Sequence, residues 1–213
     1  MSSTTYEPGI HTIPPPRPIT PSTSGIRLNH LMLRIRNPEA SLRFYNDFLG
    51  LHTIFIFNTG AWTIYYLGPR DVSIADLGTA KGLLELYYIP PKNSSELGSG
   101  GDGEGGKVGG VNYRNGNETD GLGQGFGHLG FTVPDVKEVL DRAKEFGVEV
   151  IKPLGESEVG QYGVEGLEEG KVEEGRDVVE GYKFVFRQLA FLRDPDGYWV
   201  EIVPQKVEQP PRT

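Results

Sequence analysis

The segment Asn29-His30-Leu31-Met32-Leu33-Arg34-Ile35 returns in altered form as Gly127-His128-Leu129-Gly130-Phe131-Thr132-Val133. Each places a histidine in an alternating apolar run, the period-two signature of a half-buried strand. Each run stops at a proline, Pro38 or Pro134, and a helical stretch follows. In the first copy Ser41-Leu42-Arg43-Phe44-Tyr45 leads into Phe48-Leu49-Gly50, with glycine as the stop. In the second, Val136, Val139, Leu140 and Ala143 form the apolar stripe, and Phe146-Gly147 closes it. Strand-like runs come next, at 54–57, 63–67 and 83–89 in one copy and at 148–151, 184–192 and 198–203 in the other. Both copies read β-α-β-β-β, and the sequence predicts an α+β fold built on an internal repeat.

Outward from the repeat, composition divides the chain. A Pro-rich arm occupies 1–25, the first module 26–92, and the second module 124–205, with a tail at 206–213. Between the modules, 93–123 holds eleven glycines and almost no apolar pattern, which predicts a flexible connector. Residues 155–181 hold nine acidic side chains against Lys171 and Arg176, so most of the formal charge of -8 sits there. This stretch reads as a solvated insertion near the mouth of the second module. It accounts for the longer spacing from His128 to Glu201 than from His30 to Glu85.

The chain has 213 residues and no cysteine, which excludes disulfides, thiolate metal sites and a cysteine nucleophile. Net negative charge without a basic cluster argues against nucleic acid and anionic membrane as partners. With no long apolar run and no apolar segment in the arm, the expectation is a soluble, cytoplasmic protein.

Each module closes on a strand with one glutamate among apolar residues, Leu84-Glu85-Leu86 and Val200-Glu201-Ile202. A lone carboxylate in such a strand is costly to bury without a partner. One reading pairs each glutamate with an arginine, such as Arg34 or Arg193, and leaves each histidine hydrogen-bonded in the core. The repeat favours another: two imidazoles and two carboxylates are a ligand set for a divalent ion with positions left open. Alternation puts Arg34 on the face of His30, where its guanidinium suits a substrate carboxylate.

The sequence resembles glyoxalase I (lactoylglutathione lyase) of the vicinal oxygen chelate superfamily. The resemblance rests on Met32-Leu33-Arg34-Ile35, Ser41-Leu42-Arg43-Phe44-Tyr45, Leu49-Gly50-Leu51 and Leu84-Glu85-Leu86. It continues in Tyr113-Arg114-Asn115-Gly116-Asn117, Gly125-Phe126-Gly127-His128-Leu129-Gly130 and Asp194-Pro195-Asp196-Gly197-Tyr198-Trp199-Val200-Glu201-Ile202. It implies two paired βαβββ modules forming half-open β-barrel walls around a metal site. The implied ligands are His30, Glu85, His128 and Glu201, holding one divalent ion (Ni, Co or Zn) per site.

The implied reaction converts the methylglyoxal–glutathione hemithioacetal to S-lactoylglutathione. Glu201 acts as base, Glu85 as the second carboxylate, and Arg34 binds substrate. The resemblance also implies a homodimer, each site taking His30 and Glu85 from one chain and His128 and Glu201 from the other. Departures fall at positions that hold glutathione in the family: Ile89 replaces an asparagine and Gln124 a basic residue, while Lys152, Lys183 and Arg114 lie nearby. The alternatives are a metal-dependent enzyme of the superfamily acting on a non-glutathione substrate, and a non-enzymatic small-molecule binding protein.

Overall fold

The structure is a computed structural model describing residues 7, 9–11, 15–91, 107–108, 111–113, 126–156 and 178–210. Most of the arm's first 14 residues, most of the connector, the acidic stretch 157–177, and the positions of Arg114 and Gln124 lie outside the described residues. Among the described residues, no helix is long and apolar enough to cross a membrane.

The repeat expected from the sequence is present as two sheets of the same topology. The first contains β1 (His30–Ile35), β2 (His52–Asn58), β3 (Thr63–Gly68) and β4 (Leu83–Tyr88), ordered β1-β4-β3-β2. Between β1 and β2 runs α1 (Pro38–Leu42), which widens into π-type turns over Arg43–Phe48. A two-stranded ribbon, β5 (Lys107–Val108) with β6 (Val111–Asn112), follows. The second large sheet contains β7 (His128–Val133), β8 (Glu149–Lys152), β9 (Ala190–Arg193) and β10 (Trp199–Pro204), ordered β7-β10-β9-β8, with α2 (Val136–Phe146) and α3 (Glu180–Phe186). In both sheets the first strand runs parallel to the last, and the other neighbours are antiparallel.

Local chemistry sets the helix limits. The side chain of Asn37 accepts from the Ala40 N–H ahead of Pro38, and that of Asp135 accepts from the Lys137 and Glu138 N–H groups. Gly147, at φ +70°, ends α2 in the left-handed conformation.

One region corrects the sequence reading. The strand expected over 184–192 is α3 followed by β9. Phe184-Val185-Phe186 is too short an apolar run to separate strand from helix by period. The helix is favoured because Tyr182 and Phe186, four apart, stack at 5.9 Å while Phe186 is buried. Lys183 pairs with Glu180 at 2.8 Å on the outer side.

Alternation gives each sheet two unlike faces. Leu33, Ile35, Leu84 and Leu86 of the first and Ala190, Leu192, Val200 and Ile202 of the second belong to one core cluster, with Phe44, Tyr45, Phe48, Val136 and Ala143. The helices cross-link the modules: Arg142 Nε donates to Phe48 O at 3.1 Å, and Arg43 donates to Phe146 O at 3.2 Å. The opposite faces, carrying His30, Glu85, His128 and Glu201, stay outside this core.

The Asp194-Pro195-Asp196-Gly197 turn plugs the second module into the first. Asp196 accepts from the Arg36 N–H at 2.8 Å and from Ser41 Oγ at 2.9 Å, and Asp194 accepts from Tyr45 OH at 2.8 Å. Burial, and then the charge of Asp196, push the Asp194 carboxyl up to about 7. A carboxyl raised above its ordinary value of about 3.9 contributes stability that is full below that value and lost as pH rises through the folded-state value. Between about pH 4 and about pH 7 the urea midpoint is therefore expected to fall in the native protein and to fall less in Asp194→Asn. Parallel pH profiles for the two proteins would remove Asp194 as the cause.

Candidate metal centre

The four sequence-predicted ligands sit at matching positions of the two sheets. In the first, Met32 lies opposite Glu85, with His30 two residues before it on β1. In the second, Gly130 lies opposite Glu201, with His128 two residues before it on β7. This offset brings each histidine diagonally onto its glutamate. His30 Nε2 stands 3.4 Å from Glu85 Oε2, and His128 Nε2 stands 3.4 Å from Glu201 Oε2. The histidine side chains are 39% and 35% exposed and the glutamates 17% and 19%, so each pair is open to solvent from one side.

An aromatic ring completes each pair. Tyr66, across from Glu85 on β3, meets His30 edge-on at 5.4 Å between centroids. Phe191, across from Glu201 on β9, meets His128 edge-on at 5.3 Å. The arginine-paired alternative is not what the fold adopts. Arg193 donates to Glu149 at 2.9 Å, and the Arg34 guanidinium lies 5.8 Å from the centre of the Tyr87 ring.

The donors fit a divalent ion. Two ligands about 2.1 Å from one ion at a tetrahedral angle lie about 3.4 Å apart, the separation found in both pairs. Each pair is nevertheless only half of the predicted set. Among the described residues, no three His, Cys, Asp or Glu side chains stand close enough together to hold an ion.

The sequence points to Arg34, Lys152 and Lys183 but not to Tyr66 or to a role for Asn29. Lys152 is fully buried, and its Nζ donates to Leu189 O at 2.7 Å and to Pro153 O at 3.1 Å. Burial lowers it to about 8, against the raising influence of Glu156 and Glu201. Burial and then Glu85 raise Tyr66 above its ordinary value. Asn29 and Tyr66 gave no signal because their roles depend on strand register. Arg34 lies where alternation puts it, on the His30 face of β1, with Trp62 stacked on Tyr87 at 5.8 Å beside it. Lys183 is engaged with Glu180.

A family model described as the glyoxalase/bleomycin resistance protein/dioxygenase superfamily matches residues 27–202, spanning both sheets. The chain belongs to that superfamily. It is 30% identical over 182 residues to a lactoylglutathione lyase of Pseudomonas aeruginosa, covering 82% of this chain and 80% of that superfamily relative. It is 31% identical over 186 residues to a lactoylglutathione lyase of Schizosaccharomyces pombe, covering 86% of this chain but spanning only 46% of the longer protein. Among solved structures it aligns with a trypanothione-dependent glyoxalase I of Leishmania major at a TM-score of 0.48 and 20% identity, over 84% of this chain and 87% of that one.

Proposed function

We propose that this protein is a metal-dependent glyoxalase I-type lyase that converts the methylglyoxal–glutathione hemithioacetal to S-lactoylglutathione. The observation that carries the reading is the pair of equivalent histidine–glutamate half-sites at one separation. The relatives named lactoylglutathione lyase support the reaction class. Each complete site is formed between two copies of the chain, with His30 and Glu85 from one and His128 and Glu201 from the other. Met32, Phe57 and Trp62, exposed on the first sheet, are apolar surface that a second copy would cover. Two neutral histidines and two carboxylates balance a divalent charge, and imidazole suits nickel, cobalt and zinc alike.

Bound there, the ion would act as a Lewis acid on the substrate oxygens. Glu201 takes the proton from the carbon bearing sulfur, and Glu85 stands ready to return one to the neighbouring carbon. The resemblance to glyoxalase I assigns Glu201 as the base, the two glutamates being about equally exposed at 17% for Glu85 and 19% for Glu201. Arg34, flanked by Tyr87, would receive an anionic group of the substrate.

A second reading, the same chemistry on a different thiol carrier, is favoured by one position: Ile89 is apolar where the family has an asparagine for glutathione. Metal analysis with a turnover assay tests both. The expected result is about one ion per chain, loss of turnover after chelation, and a dimer by light scattering. Full turnover by metal-free protein would overturn the proposal. Chelator-sensitive turnover confined to a non-glutathione adduct would select the second reading.

A further inference from the structure

The first half-site has a hydrogen-bonded bracket behind its histidine. Asn29 precedes His30, and its Nδ2 donates to the backbone carbonyl of Leu77 at 2.6 Å. That bond fixes the amide orientation, because a flipped amide would set two oxygens against each other. Its Oδ1 then faces two groups, Tyr66 OH at 2.9 Å and His30 Nδ1 at 2.9 Å. An amide oxygen only accepts, so both neighbours must donate, and Nδ1 of a neutral His30 must carry the proton. The other ring nitrogen, Nε2, is thereby left with a lone pair beside Glu85. In the second module Gly127 precedes His128 and has no side chain to do the same.

We propose that Asn29 is a positioning residue that fixes the tautomer of His30, holding Nε2 as a bare donor before any ion arrives, with Tyr66 bracing the amide. The inference deepens the metal-site reading and rests on it for its purpose. Without Asn29, binding would have to move the proton from Nε2 to Nδ1 and order the ring at the same time. Loss of such an outer hydrogen bond costs about 10- to 100-fold in metal affinity.

The test is nitrogen NMR of the imidazoles in chelator-treated protein at about pH 8, where an ordinary histidine is neutral. Titration with zinc, nickel and cobalt, each alone, is followed on the same samples. His30 is expected as the Nδ1–H form in the native protein. The Nε2–H form should dominate in Asn29→Leu and Asn29→Ala, with zinc affinity down about 10- to 100-fold. An Nε2–H form in the native protein overturns the inference without any variant, so poor folding of the leucine variant leaves the test intact. An unchanged tautomer in Asn29→Ala overturns it as well. An Nδ1–H form in native protein that binds none of zinc, nickel and cobalt would keep the tautomer assignment and sink the metal reading instead.

Discussion

Glu201→Gln is expected to lower kcat by about 10²- to 10⁴-fold while leaving the fold in place, the range ascribed to a general base. The substitution keeps side-chain shape and an oxygen that could still meet an ion, and removes the basicity. Glu201 stands 3.4 Å from His128 with its side chain 19% exposed, open to a substrate from one side. It sits mid-strand between Val200 and Ile202, both buried, so its backbone is held by the core whatever the side chain does. Measuring kcat beside metal content separates two causes. A large loss at unchanged metal content identifies proton transfer, and a loss that added metal restores would mark Glu201 as a ligand only. A kcat within a few-fold of native would exclude Glu201 as the base.

Much of this site was legible in the sequence because a repeat samples the same constraint twice. One histidine heading an alternating run means little, but two of them, each followed in its module's closing strand by a glutamate between two leucines or between valine and isoleucine, mark equivalent positions. Period-two alternation then put Arg34 on the face of His30, and that face lies outside the core. The reading failed where periodicity is weak. The run over 184–192 became α3 and β9 as Phe186, Leu189 and Phe191 gather in one buried cluster, with Lys152 Nζ 4.5 Å from the centre of the Phe186 ring, a tertiary demand that no local pattern encodes. Register was equally hidden. That Met32 rather than His30 faces Glu85, or that Asn29 reaches both Tyr66 and Leu77, depends on how strands align, which spacing alone does not state.

The half-sites lead to the second large effect. A chain carrying His30→Ala and Glu85→Ala keeps only the second pair, and a chain carrying His128→Ala and Glu201→Ala keeps only the first. Each alone should be inactive, since two ligands cannot hold the ion as four do. In a mixed dimer with sites formed between chains, one site inherits all four native ligands and the other inherits none. This follows from the reciprocity of a two-fold assembly. Co-expression with two different affinity tags and purification through both isolates that mixed species. The account predicts about half the native activity per dimer and about one bound ion per dimer, with neither parent variant active. A mixed dimer as inactive as its parents would contradict it.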